Sequence, residues 1–113
     1  MNTYIVMLSF TEAGIATIKD SPGRSAQMSA LFEKHGARIK DYYLTMGDED
    51  FMVIFEAKDD KTMAKMLFEI GRLGAVRTRT MRAFSRQEFK EIVDELPQKA
   101  LFGDLKDAMD KNA

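Results

Sequence analysis

YIVML at residues 4–8 is an uninterrupted apolar segment, and FMVIF at residues 51–55 is a second one. Both contain β-branched and aromatic residues, and an apolar segment without polar alternation is typical of a strand that is covered on both faces. Each segment is followed by an amphipathic helix pattern and then by another strand pattern. The chain therefore contains two copies of one strand–helix–strand unit, over residues 3–46 and 50–84.

Capping residues predict where the helices begin. Ser21, followed by a proline, is expected to open the first long helix, because serine caps free amides and proline is tolerated in the first turn. Asp59 or Asp60 is expected to cap the second helix. Ser85 and Glu88 have the spacing of a capping box and predict a third helix.

Two such units joined by right-handed crossovers predict an α+β, ferredoxin-like βαββαβ fold. Its antiparallel four-stranded sheet has the order 4-1-3-2 and carries its helices on one face. The other face would leave apolar side chains exposed, which favours pairing of two sheets into a dimeric α+β barrel. We expect one domain over residues 1–97, followed by a charged tail at 98–113 that is either a docked helix or a frayed end.

Composition limits the partners. The formal net charge is −1 and cysteine is absent, so no global field favours nucleic acid, and disulfides and thiolate metal sites are excluded. The start of the chain lacks a basic region, and no segment approaches the roughly 20 apolar residues of a membrane span. These features predict a cytoplasmic protein with no nucleic-acid or membrane partner.

Basic and acidic residues are separated along the chain. Five arginines and no lysine or acid lie between residues 71 and 87, whereas six acids and one lysine lie between 47 and 60. Arginine presents a rigid fork that suits carboxylate or phosphate. Strand alternation puts Arg77 and Arg79 on one face of the fourth strand. They form either an anion-binding patch or an interface patch that pairs with the acidic turn of the same or another subunit.

Two threonines, an arginine and the tyrosines Tyr4 and Tyr42 are predicted to line a ligand pocket, in the barrel between paired sheets or at the subunit interface. Thr78, Thr80 and Arg82 share the other face of the fourth strand. Tyr42 and the tyrosine after it point to opposite faces of the second strand, so one packs under the helices and the other faces the barrel interior. Tyr4 joins the set through its hydroxyl group. The alternative for each tyrosine is a buried tether to a backbone carbonyl.

No catalytic residue, metal site or cofactor is predicted. His35 is the only histidine and lies at a helix end, where a cation relieves unsatisfied carbonyls. Three consecutive acids at 48–50 cannot all face one ion, so we interpret them as a solvated turn. The nine methionines are interpreted as soft filler of the core.

The sequence resembles the GYD domain family over residues 3–97. This family consists of small bacterial and archaeal proteins akin to the dimeric α+β barrels, and its function is uncharacterised. The resemblance therefore implies a fold and no reaction. The residues that carry it are Thr3-Tyr4-Ile5-Val6, Thr11, Gly14-Ile15, Ile18-Lys19-Asp20-Ser21-Pro22, Arg24, Gly47, Asp50, Leu73-Gly74, Val76-Arg77-Thr78, Thr80 and Arg82-Ala83-Phe84.

The turn motif that names the family is incomplete in this chain. Gly47 and Asp50 are present as turn former and turn-exit carboxylate, but Glu49 replaces the aromatic residue before the aspartate. Three functions remain open. The favoured one is a homo-oligomeric protein that binds a small organic molecule or regulates a partner. The alternatives are a cofactor-independent enzyme of the monooxygenase or isomerase type with a cavity in the barrel, and a structural or partner-binding module.

Overall fold

Four strands and five α-helices lie along residues 1–111, the part of the chain that the computed structural model describes. They are β1 (Asn2–Phe10), α1 (Glu12–Ala16), α2 (Ser21–Lys34), β2 (Ala37–Leu44), β3 (Phe51–Ala57), α3 (Asp60–Arg72), β4 (Val76–Ala83), α4 (Arg86–Glu95) and α5 (Gly103–Lys111), with a 3-10 turn at Ile18–Asp20 before α2.

The four strands form one antiparallel sheet in the order β2-β3-β1-β4. This confirms the predicted topology, with the two continuously apolar strands at the centre. Val6 on β1 lies opposite Val53 on β3 and Thr80 on β4. The register matters because residues that pair across strands share a face of the sheet.

The core lies between one face of the sheet and the helices α2 and α3. Val6 and Val53 are fully buried there, together with Met63 and Ile70 of α3. Phe32 of α2 packs edge-on against Phe55 at 5.5 Å. Alternate residues of β1 and β3 thus face the core, and the residues between them face the other way.

The starts of α2 and α3 test the capping residues that the sequence predicted for them. Asp59 caps α3 as predicted, since its carboxylate accepts the Thr62 backbone N–H at 2.8 Å. Hydrogen bonding from the Thr62 side chain, and next from the Thr62 backbone N–H, holds the pKa of Asp59 below its usual value. The prediction that Ser21 caps α2 is wrong. Ser21 is already helical, because α2 continues directly from the 3-10 turn, and Asp20 occupies the cap position without a side-chain hydrogen bond.

The β1–α1 corner is closed by a tight backbone approach. Thr11 caps α1 by accepting the Gly14 N–H at 3.1 Å, and its own hydroxyl donates to the Gly74 carbonyl at 2.5 Å. A Cβ atom on Gly14 would overlap the Ala75 carbonyl oxygen. The corner therefore requires glycine for reasons of space.

The chain divides into a first unit, Met1–Ala83, and a second unit that begins at Phe84. The second unit contains α4, which falls within the predicted domain, and α5, which lies in the predicted tail. The capping box of Ser85 and Glu88 at the start of α4 is confirmed. Residues 112 and 113 of the predicted tail lie outside the described residues. Along residues 1–111, every helix is too short or too polar to cross a membrane.

Candidate functional site

The face of the sheet opposite α2 and α3, here called the open face, carries a row of isoleucine and methionine side chains. Ile5 pairs with Ile54 on β3 and with Met81 on β4, and Met7 pairs with Met52. Met81 is 55% exposed. The centre of this face is therefore apolar and rich in methionine, a residue that adapts its shape to different surfaces.

Charged residues line the two margins of the open face. Arg77 and Arg79 lie on β4, next to Ser9 and Met7 of β1, so the predicted shared face of the two arginines is confirmed. On the opposite margin, Asp41 of β2 faces the same way as Ile54. The apolar centre is thus bordered by the two arginines on the β4 side, and by Asp41 and the Arg38–Glu56 ion pair on the β2 side.

The acidic turn between β2 and β3 folds onto the end of the open face through Glu49. This side chain is only 13% exposed. One carboxylate oxygen accepts the Ser9 hydroxyl at 2.6 Å, and the other forms an ion pair with Arg79. Of the two arginines of the patch, Arg79 therefore pairs with the acidic turn of its own chain. The residue that departs from the family motif therefore has a structural role of its own.

Asp50 holds the same turn against the end of β1. Its carboxylate accepts the Phe10 backbone N–H at 2.7 Å, and its backbone N–H donates to the Leu8 carbonyl at 2.9 Å. Gly47 adopts a φ of 143°, which favours glycine over residues with a side chain. The turn motif thus anchors β2 and β3 to the central strand.

Tyr4, Asp60 and Arg82 form a polar cluster on the helix side of the sheet. The Tyr4 hydroxyl donates to Asp60 Oδ1 at 2.5 Å, and the Asn2 amide donates to the same hydroxyl at 3.4 Å. The Arg82 guanidinium carbon lies 5.6 Å from the centre of the Tyr4 ring, and Arg82 Nε is 3.9 Å from Asp60 Oδ1. Burial, and next the hydrogen bond to Asp60, raise the pKa of Tyr4 above its usual value.

The structure separates the residues that the sequence assigned to one pocket. Thr78, Thr80 and Arg82 do share a face, but they pair with the core-facing residues of β1 and so lie on the helix side. Tyr4 is on that side too and is 4% exposed. The expectation that these side chains face the interior of a barrel of paired sheets does not agree with this placement.

Tyr42 also lies on the helix side, opposite Val53, whereas Tyr43 lies on the open face opposite Met52. Tyr42 is on the edge strand β2 and Thr80 is on the edge strand β4, three strand spacings or roughly 14 Å apart. The structure therefore brings Tyr4 and Arg82 together, but it does not bring Tyr42 to them. Ligand binding by these residues stays a prediction.

Sequence reasoning missed the residues that form the open face. The sequence interpretation assigned Met7, Met52 and Met81 to the core. Met7 and Met52 are each adjacent to a core valine, Val6 or Val53, so strand alternation already indicates that they point away from the core. Asp60 was considered only as a helix cap. In residues 1–111, no three or more His, Asp or Glu side chains are grouped so as to hold a metal ion.

A four-stranded antiparallel sheet with two helices on one face defines a ferredoxin-like α+β protein. The chain belongs to the GYD domain family, whose model matches residues 4–93. This confirms the resemblance that the sequence motifs indicated.

Two known proteins extend the comparison. The chain is 31% identical over 84 residues to a protein of Thermus thermophilus named glutamine synthetase and cystathionine beta-lyase binding protein, with coverage of 74% of this chain and 88% of the relative. The fold of this chain is similar to that of the crystal structure of FFRP-DM1, with a TM-score of 0.55 and 20% identity. The match covers 74% of this chain and 100% of the other. The second likeness concerns the fold alone.

Proposed function

We propose that this chain is a regulatory binding protein whose partner is a metabolic enzyme, and that the open face of the sheet is the docking surface. The observation that carries the proposal is the row of methionine and isoleucine side chains at the centre of that face. The name of the Thermus relative supports a protein partner and suggests glutamine synthetase and cystathionine beta-lyase as the first enzymes to test.

The composition of the open face suits such a role. Met7, Met52 and Met81 have unbranched side chains that can repack against different partners, and promiscuous binding proteins use surfaces of this kind. A relative named for two different enzymes is consistent with an adaptable surface. Charged margins around an apolar centre also match the general anatomy of protein interfaces.

A single substitution tests the docking surface. Met81→Lys places a charge at an exposed position of the open face, so the fold should tolerate it while apolar docking should not. We expect binding to the enzyme to weaken about tenfold or more. The measurement is biolayer interferometry with purified glutamine synthetase and cystathionine beta-lyase from the organism that encodes this chain.

The matched control is Ala64→Lys, which adds the same charge at an exposed position of α3, on the other side of the sheet. It should bind the enzyme as the wild type does. Wild-type protein that binds neither enzyme would contradict the proposed partners. Equal weakening by both lysine variants would contradict the open face as the docking surface.

A second candidate function for the same face is self-association. Arg77 lies on one margin and Asp41 on the other, so two open faces can pair with opposite charges adjacent. Such a homo-oligomer is the dimeric α+β barrel that the sequence predicts. Self-association and enzyme docking then compete for one surface. In the oligomer this surface is covered, so the protein can bind an enzyme only after its subunits separate.

A further inference from the structure

A groove of about 520 Å³ lies on the helix side of the first unit, between α2 and the edge strand β2. We call it the α2–β2 groove. One wall is the start of α2 with the preceding 3-10 turn, the other wall is β2, and the floor comes from the neighbouring ends of β1 and β3. The lining residues are Phe10, Ile18, Ser21, Pro22, Ser25, Ala26, Ser29, Ile39, Tyr42, Leu44 and Phe51.

The groove exists because α2 changes its character along its length. Near its end, Phe32 is buried in the core and Met28 packs against it. Near its start, the side that borders the groove carries Ser21 and Ser25, which are too small to fill the space above β2. On the opposite wall, Leu44 is therefore exposed and Ile39 is only partly buried.

Aromatic rings line the floor of the groove and its β2 wall. The rings of Phe10 and Phe51 meet edge-on at 5.2 Å, and the Tyr42 ring is tilted against Phe51, also at 5.2 Å. Tyr42 is 42% exposed, so part of its ring stays available to a ligand. Aromatic clusters of this kind favour flat apolar molecules that stack on them or meet them at an edge.

Hydroxyl groups supply the polar part of the lining. Within residues 1–111, the hydroxyls of Ser21, Ser25, Ser29 and Tyr42 have no hydrogen-bond partner in the protein. Successive serines are four residues apart on α2, which spaces them by about 6 Å along the helix axis. A few hydrogen-bonding groups in an otherwise apolar lining are typical of small-molecule sites, and the volume falls within their usual range.

We infer that the α2–β2 groove binds an uncharged, elongated small molecule that contains an aromatic or alicyclic ring and a small number of hydroxyl or carbonyl groups. Charge is the deciding argument, because no Asp, Glu, Lys, Arg or His side chain lines the groove in a chain of which 31% is charged. An ion would lose water there without gaining a partner. Arg24 lines only a deeper extension of about 50 Å³, and its guanidinium donates to the Thr17 hydroxyl at 3.0 Å.

Two fluorescent probes with the same ring system test this inference. N-phenyl-1-naphthylamine is neutral, and 1-anilinonaphthalene-8-sulfonate carries an additional sulfonate group. The chain has no tryptophan, so probe fluorescence can be followed without interference from that residue. We expect the neutral probe to bind the full chain with one site and the sulfonate probe to bind about tenfold more weakly or worse.

Filling the groove locates the site. Ser25→Phe places a ring in the groove and should abolish binding of the neutral probe, whereas Gln27→Phe adds the same ring on the exposed, opposite side of α2 and should leave binding unchanged. Ser29→Leu is a second filling variant, in case the first does not fold by circular dichroism. Met81→Lys, on the open face, should bind the neutral probe as the wild type does.

The outcomes separate this inference from the proposed enzyme docking, on which it does not depend. Loss of neutral-probe binding in the filled variants, with retention in Gln27→Phe and Met81→Lys, supports the groove. The inference is overturned if the wild type does not bind the neutral probe, if the sulfonate probe binds as tightly, or if a folded Ser25→Phe or Ser29→Leu protein binds like Gln27→Phe. Loss in Met81→Lys alone would assign the probe to the open face.

Discussion

The hydroxyl of Tyr4 on β1 donates a hydrogen bond of 2.5 Å to the carboxylate of Asp60, the first residue of α3, across 56 positions of the chain. The Asp60 side chain is largely exposed, while Tyr4 is buried. This hydrogen bond therefore fixes the start of α3 to the central strand from the solvent side. It also requires the neutral form of the tyrosine, because an ionised Tyr4 would face a carboxylate.

Tyr4→Phe removes this hydrogen bond and should destabilise the protein by about 1 kcal/mol at neutral pH. The folded pKa of Tyr4 lies above the usual value of 10.0, so the neutral tyrosine contributes its stability fully below pH 10 and loses it as pH rises through the folded pKa. Urea unfolding between pH 7 and 11 should show a steeper alkaline loss for wild type than for the variant. Parallel curves would contradict the assignment.

Gly14→Ala should destabilise the first unit because the added Cβ would meet the Ala75 carbonyl oxygen, which is backbone and cannot rotate away. Overpacking of this kind costs about 1–3 kcal/mol. The control is Gly23→Ala in α2, where a Cβ meets no atom within 4 Å. That variant should gain up to about 1 kcal/mol from helix propensity. Thermal unfolding of both measures the difference, and similar melting temperatures would contradict the steric account.

Local signals in the sequence were sufficient for the fold. The apolar segments at 4–8 and 51–55 identified the central strands, and Asp59 and Ser85 marked helix starts through contacts within three residues. The alternation of side chains along β4 also placed Arg77 and Arg79 on one face of the sheet and Thr80 on the other. These features depend on nearest neighbours along the chain, which a sequence displays directly.

The arrangement of the candidate site depended on features that alternation does not display. The register shifts between Ile39 and Asp41, so Lys40 bulges out and every later residue of β2 changes face. Tyr42 consequently joins Ile39 on the helix side, and Tyr43 is left on the open face. Alternation alone could show that the two tyrosines oppose each other, but the bulge decides which one faces the core.

The Glu49–Arg79 ion pair should contribute modestly to stability. Arg79 is mostly exposed, so solvent screens the pair, and a double-mutant cycle with Glu49→Ala and Arg79→Ala should give a coupling of about 0.5 kcal/mol. Urea unfolding of the four proteins measures it. Glu49→Ala alone should cost more than Arg79→Ala, because it also removes the acceptor of the Ser9 hydroxyl. The reverse order would contradict this role of Glu49.

Self-association through the open face predicts an even-numbered homo-oligomer that a single buried charge splits. Ile5→Lys places an ammonium group at the centre of the paired faces, between Ile54 and Met81, where it would be desolvated without a carboxylate partner. Native mass spectrometry should then report the monomer for Ile5→Lys and the oligomer for both wild type and Ala64→Lys. A monomeric wild type would refute pairing of the sheets, and an Ile5→Lys protein of unchanged mass would show that the subunits associate through another surface. Because the same substitution leaves the α2–β2 groove intact, a split oligomer that still binds the neutral probe would separate assembly from ligand binding.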